Sequence, residues 1–381
     1  MTTVFVPKEI QDGETRVAAT PETVKRMIKL GLKVTVEGGA GEASKILDQE
    51  YVEAGASIGE AWDADVVLKV NPPEERKDGK HETELLKEGA LLLSLVWSVS
   101  NPALAKKLSE RKLSVLAMEA VPRISRAQKM DVLSSQANLA GYKAVLMGAN
   151  AMTQIMPMMV TAAGTIKPAK CVVMGAGVAG LQAIATARRL GAVVEATDIR
   201  PEVKEQVESL GGKFIETVEA SGEGGYAKEL TDEQKKRQAE IIESHLIAAD
   251  LVICTALIPG RPAPKLISAS TVEKMKEGAV IVDLAVSQGG NCELAETGIV
   301  TKHGVTIVGE PNVPATLASD ASAMYARNIL ALVMDIVDRE NDAAIKLDLE
   351  DEVIDGALII KDGEVRNERT KKAIEDMKES E

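Results

Sequence analysis

Residues 171–200 read CVVMGAGVAGLQAIATARRLGAVVEATDIR, and no other stretch restricts the fold as much. Cys171 to Met174 is an apolar run of the length of a buried strand. Gly175, Gly177 and Gly180 follow at G-x-G-x-x-G spacing. Val178, Leu181, Ile184 and Leu190 then share one helical face, and Gly191 ends the helix. A second apolar run, Ala192 to Ala196, delivers Asp198 roughly 20 residues after the glycines. Strand, tight turn, helix, strand and acid in that order predict a dinucleotide site.

Each part has a physical task. Gly175 permits the turn. Gly177 leaves room for a pyrophosphate to approach the backbone, and Gly180 lets the helix lie against the sheet. The first amides and the dipole of the helix favour a phosphate by about 0.3–1 kcal/mol or more. Asp198 would accept hydrogen bonds from an adenosine ribose and repel a 2′-phosphate. Unit charges about 4 Å apart repel by roughly 1 kcal/mol in water and about 4 kcal/mol at an effective dielectric near 20. NAD is therefore expected over NADP. Arg200, two residues on, is the nearby group that would meet a 2′-phosphate instead.

A length of 381 residues predicts two domains. Aromatic residues make up only 2%, so the cores must be aliphatic. A net charge of −13 argues against a nucleic-acid partner. Cys171, Cys254 and Cys292 form no C-x-x-C pair and read as buried thiols of a reducing compartment. His81, His245 and His303 are scattered, so no metal site is expected. The N-terminus shows no apolar signal core. Residues 144–166 carry no charge, but Asn150, Gln154 and Pro157 interrupt them. A buried interdomain helix is expected there rather than a membrane span.

Apolar runs at Val4–Pro7, Lys33–Glu37, Ala64–Val70, Ala90–Val96 and Leu113–Met118 alternate with helical patterns. One helix opens at Thr20-Pro21 and another at Asn101-Pro102. This first portion is itself a parallel α/β unit. The polar segment from Val121 breaks the rhythm, and a helix begins near Val132. Further strands are expected at Lys213–Ile215, Asp250–Ala256, Ala279–Ala285 and Val305–Val308. Between them Glu216 to Glu240 reads as a long polar loop, of the kind that often forms a lid. A long helix ends near Val337. Short strands follow, with Asp362-Gly363 as a hairpin turn. The expected fold is α/β, with two Rossmann-like parallel-sheet domains and a cleft between them. The first domain takes residues 1–125 and 320–381, which makes it discontinuous, and the second takes 130–318.

ETRVAATPE, PRISRAQKMDVLSSQANLAGY, the glycine segment, GGYAKE, TALIPGRPAP and VDLAVSQGGN together resemble the alanine dehydrogenase/pyridine nucleotide transhydrogenase family. Within it the chain is most similar to the NAD(H)-binding component of the proton-translocating NAD(P) transhydrogenases. The middle motif is far more specific than the glycines. The resemblance implies that Arg123, Gln128 and Asp131 hold the nicotinamide end of the cofactor and face NADP(H) on a partner domain. Ile124, Ser125, Lys129 and Met130 line the same loop, and Ser134 and Tyr142 support it. Val178, Ala179 and Gly180 cover the pyrophosphate, and Asp198, Ile199 and Arg200 sit by the adenosine ribose. Gly225 and Tyr226 belong to a mobile loop, Gln238 lies beyond it, and Leu257 lies near the adenosine. On the residues alone, a polar interdomain bridge is the first reading of Arg123, Gln128 and Asp131. A homodimer, a membrane-spanning subunit and a peripheral place on the cytoplasmic side are also implied.

Hydride transfer between two nicotinamides releases no hydroxyl or amine proton, so it needs positioning and exclusion of water rather than a protein acid or base. Alanine dehydrogenase, the rival on the same scaffold, does need one. That branch has a histidine after its fourth buried strand, where LLLSLVWSVSN offers Trp97 instead. It also has an aspartate where this chain has Ser287. Arg16 and Lys69 do fall near that branch's substrate-binding positions. A non-catalytic NAD-binding subunit is the third class.

Overall fold

The computed structural model describes residues 1–217, 231–257 and 262–380. The chain forms two compact units, Met1–Gln136 with Pro314–Glu381, and Ala137–Val313.

The first unit is built on an eight-stranded sheet. Its spatial order is Glu364–Val365, Leu358–Lys361, Ser114–Ala117, Leu91–Ser94, Val66–Leu68, Thr3–Val6, Lys33–Val36 and Ser57–Ile58. The six strands from the first half of the chain are parallel. Leu358–Lys361 and Glu364–Val365 are antiparallel additions at one edge, joined by the Asp362-Gly363 turn. The apolar runs are buried on both faces, as a doubly wound sheet requires. Val4, Val6, Val34, Val66 and Leu68 pack with Ile329, Leu330 and Val333 of the helix Ala318–Ile336. Phe5, Val67, Leu92 and Val115 face Leu104 and Leu108 of the helix Pro102–Glu110. Asn101 caps that helix by accepting from Leu104 N, and Pro102 fills its first turn.

Strand order in this sheet reverses between Thr3–Val6 and Val66–Leu68, and buried charges occupy the ends of those two strands. Lys69 is 1% exposed, with Nζ 3.3 Å from Glu9 and 3.1 Å from Glu82. Val70 N donates to Glu9 at 2.6 Å. Arg16 forks Glu14 at 2.8 and 2.7 Å and donates to Gln136 at 3.0 Å. Asn71 donates to the same Glu14 carboxylate. Burial opposes the charge on Lys69, but Glu9 and Glu82 more than offset it and raise its pKa. Burial pushes the Glu9 carboxyl up against the pull of Lys69. Burial also opposes the charge on Glu14, but the Arg16 fork outweighs it and brings that carboxyl down to about 2.

The second unit has a seven-stranded sheet in the order Lys213–Phe214, Val193–Thr197, Lys170–Met174, Leu251–Cys254, Val280–Asp283, Val305–Gly309 and Gly298–Lys302. Of these strands, Gly298–Lys302 alone is antiparallel. Here the reversal falls between Lys170–Met174 and Leu251–Cys254. The helix Val178–Arg189 packs closely on the Val132–Ala151 helix, because a Cβ on Gly141 would lie 2.0 Å from the carbonyl oxygen of Ala179. Cys171, Cys254 and Cys292 are buried and free.

Several sequence expectations need correction. Residues 144–166 are not one buried helix. The helix Val132–Ala151 stops before Pro157, and Met159–Thr161 and Gly164–Ile166 form an exposed antiparallel hairpin. No helix among the described residues is long and apolar enough to cross a membrane. The polar stretch read as a loop to Glu240 is helical from Asp232 to Ile247, opened by a Thr231–Gln234 capping box. Its charged side chains hid it from a periodicity argument. Residues 218–230, the rest of the supposed lid, lie outside the described residues. The C-terminal return is not strands alone, since Glu352–Ala357 and Glu368–Ser380 are helices.

Replacing Lys69 by Met is expected to cost about 3–5 kcal/mol, because Glu9 and Glu82 lose their buried counter-ion. Urea unfolding measures this. Adding Glu9→Gln and Glu82→Gln should recover most of the loss, and a Lys69→Met variant as stable as the parent would contradict the assignment.

Candidate functional site

The turn of the second unit is assembled from four pieces of chain. Lys170–Met174 ends at Gly175, whose φ of +98° is the left-handed region that glycine tolerates. A Cβ there would meet the Thr255 hydroxyl at 2.8 Å. Thr255 Oγ1 donates to Gly175 O at 2.9 Å, tying together the two strand ends where the order reverses. At Gly180 a Cβ would lie 1.9 Å from Gly175 O, so no larger residue fits. Gly177 differs from both. It is the N-cap of the helix Val178–Arg189, and a Cβ there would meet only Arg200 Nη2, at 3.9 Å, among the described residues. Among the described residues, the glycine at the centre of the turn is thus open above its backbone. An α-helix leaves its first amides without intrahelical partners, so those of Val178, Ala179 and Gly180 are directed to this opening. Val178 is half-exposed, Ala179 partly buried and Gly180 buried.

Asp198 lies just past Val193–Thr197, and its side chain is 7% exposed. Oδ2 accepts from Ala176 N at 2.7 Å, within the glycine turn itself. Oδ1 accepts from Arg200 N at 2.9 Å. Arg200 closes on both oxygens, with Nε at 2.9 Å and Nη2 at 3.0 Å. Burial opposes ionisation, but these donors outweigh it and hold the Asp198 carboxyl below the usual range. Ile199 is 91% exposed and Leu257 about half-exposed. Gln238, on the Asp232–Ile247 helix, donates to Thr217 at 3.1 Å. Gly225 and Tyr226 lie outside the described residues. Such a turn accommodates a dinucleotide, with an open glycine and helix amides for the phosphates and a carboxylate for the ribose.

In the first unit, residues 123–134 form a short 3-10 helix, Ser125–Met130, running into the Val132–Ala151 helix. Asp131 caps the second helix. Its carboxylate accepts from Ser134 N at 2.9 Å and Ser134 Oγ at 2.6 Å. Ala127 and Met130 are buried, so the Met130 side chain anchors the loop rather than lining a surface. Ile124 packs against the same core. Asn328 Nδ2 donates to Lys129 O at 2.8 Å, and Asn328 Oδ1 accepts from Ser135 at 2.7 Å. Arg126 pairs with Asp335 and Asp351, and Lys129 with Asp335. Held this way, the loop leaves Arg123, Ser125 and Gln128 exposed.

Trp97 stands at φ +52°, a rare conformation for a bulky residue. Its amide and that of Val96 donate to Glu119, whose carboxyl is pushed up by burial. His81 caps the helix Glu82–Leu85 through Thr83 N, while His245 and His303 pair with Glu195 and Glu273 in the second unit. Each of the three histidines thus has a partner within its own unit.

Sequence reasoning missed three contributors: the amide of Ala176, Thr255 and Asn328. Asn328 had a readable signal, being an amide inside the apolar run of the Ala318–Ile336 helix. The Ala176 contact had none.

Models of the alanine dehydrogenase/PNT family match residues 5–140 with their N-terminal domain and residues 144–368 with their C-terminal domain. An NAD(P) transhydrogenase subunit alpha polypeptide of Rhodospirillum rubrum is 50% identical over 374 residues, covering 95% of this chain and 97% of its own. The crystal structure of transhydrogenase from Sinorhizobium meliloti superposes with a TM-score of 0.86 at 47% identity, covering 96% of this chain and 100% of that one. An alanine dehydrogenase of Methanococcus maripaludis is 31% identical, covering 90% of this chain and 91% of its own. The chain belongs, through both of its domains, to the alanine dehydrogenase/PNT family.

Proposed function

We propose that this chain is the NAD(H)-binding subunit of a proton-translocating NAD(P) transhydrogenase. In this reading it passes hydride directly between NAD(H) and NADP(H), the latter held by a partner domain, and a membrane-spanning subunit couples the exchange to proton movement. The reading is carried by the end-to-end similarity to the Rhodospirillum rubrum alpha polypeptide, which exceeds that to alanine dehydrogenase. We assign Gly175, Gly177, Val178, Ala179 and Gly180 to the pyrophosphate, and Asp198, Ile199, Arg200, Gln238 and Leu257 to the adenosine end. Arg123, Ile124, Ser125, Gln128, Lys129 and Asp131 serve the nicotinamide end, with Ser134 fixing the Asp131 carboxylate. Gly225 and Tyr226, outside the described residues, are assigned to the nucleotide as well.

The nicotinamide, when bound, supplies the hydride chemistry. The chain's own residues orient and shield. Arg123 and Gln128 are exposed donors on a loop whose buried residues and Asn328 contact fix it, which suits positioning. An alanine dehydrogenase reaction would need a proton-handling group, and the histidine position holds Trp97 with its amide bound to Glu119. The exposed hairpin, with Val160 at 70% and Met159 at 44%, is where we place the second copy in a homodimer. The partner subunits would hold the chain at the cytoplasmic face of a membrane.

Two outcomes test the proposal. Mixed with NADH, an NADP(H)-binding transhydrogenase domain and an acetylpyridine NAD analogue, the chain should reduce the analogue, followed by absorbance. Turnover of pyruvate and ammonia without the partner would favour the amino-acid reaction instead. Asp131→Asn keeps a capping side chain, so stability should change by less than about 0.5 kcal/mol. Its loss of charge should slow hydride exchange about tenfold or more with NADH affinity nearly unchanged. Unaltered exchange would remove Asp131 from the ring-facing role.

A further inference from the structure

Every acceptor position of the Asp198 carboxylate is filled by a donor of the protein. A carboxylate takes about four hydrogen bonds. Oδ1 takes Arg200 N and Nε, and Oδ2 takes Ala176 N and Arg200 Nη2. Backbone amides make two of the four and are fixed by the turn. The other two come from one guanidinium in the bidentate geometry that arginine favours. Its side chain is 50% exposed, so it can leave the carboxylate for water. Arg200 Nη2 is also the single atom among the described residues within 4 Å of a Cβ built on Gly177. The guanidinium therefore bridges the acid and the open glycine, the two places that would receive a ribose and a phosphate.

We propose that Arg200 sets the nucleotide choice of this site by competing with the ribose diol for Asp198 and cancelling the charge that would reject a 2′-phosphate. This inference rests on the reading that the glycine turn holds a pyridine nucleotide. A vicinal diol needs two acceptor positions on the carboxylate and gains them only by taking the place of the guanidinium. That exchange weakens binding of a nucleotide with a free 2′-hydroxyl. A 2′-phosphate meets an Asp198 whose charge the paired Arg200 cancels, and the half-exposed guanidinium offers it a cationic neighbour. Arg200 thus narrows the gap between NADH and NADPH from both sides.

Titration of the full chain with NADH and NADPH, followed by dihydronicotinamide fluorescence, tests this. Arg200→Ala should tighten NADH and raise the ratio of the NADPH to the NADH dissociation constant about tenfold, the order expected for one nearby unit charge. Arg200→Lys keeps the charge without the fork, so it should tighten NADH and raise that ratio by less than Arg200→Ala does. An unchanged or smaller ratio in Arg200→Ala overturns the proposal. So does weaker NADH binding in a variant whose thermal unfolding matches the parent. If the parent and both variants bind neither nucleotide, the nucleotide reading falls and this inference with it.

Discussion

A single hydrogen bond, from the amide of Ala176 to the carboxylate of Asp198, sets the shape of the proposed nucleotide site. It runs from the glycine turn after one strand to the acid after its parallel neighbour. The register of that strand pair brings the two together, and the bond then holds the turn against the sheet. Gly175 and Gly180 complete the arrangement by occupying space that no side chain could share. A buried carboxylate bonded to amides is ionised at neutral pH, so the group that shapes the turn is also the group suited to a ribose. Structure and recognition are one feature here.

The six parallel strands of each unit follow the same order, with a reversal where a doubly wound sheet opens a crevice. They fill that place differently. In the first unit Glu9, Glu14, Arg16, Lys69 and Glu82 satisfy one another at the strand ends. In the second, glycines and helix amides occupy that place, and among the described residues only Arg200 comes near Gly177. The difference lies in the side chains at the reversal rather than in the order of the parallel strands. Arg16 and Lys69, which matched substrate-binding positions of alanine dehydrogenases, are engaged by carboxylates of their own unit.

Much of this was legible in the sequence. Apolar runs bounded by Gly and Pro located the central strands, since a strand buried on both faces needs no alternation. The glycine spacing and Asp198 identified the turn, because each glycine answers a steric demand. Contacts between side chains were not legible. Nothing in DIR tells that Arg200 folds back on Asp198, or that their charges cancel. A repulsion estimate based on a bare Asp198 therefore overstates the rejection of a 2′-phosphate. The Asp232–Ile247 helix was missed because its charged residues show no apolar stripe. The Met159–Ile166 hairpin was misread as buried helix because apolar composition was taken for burial. Asp131 shows a further limit: the observed helix cap and the proposed ring-facing role fall on the same residue, and spacing alone does not separate them.

Isothermal titration of NADH into the parent chain and into Asp198→Ala addresses the central claim most directly. The account predicts one NADH per chain for the parent and an affinity at least about tenfold weaker for the variant, with two hydrogen bonds to a charged acceptor removed. Equal affinities in two equally stable proteins would contradict it, and would move the ribose away from the glycine turn.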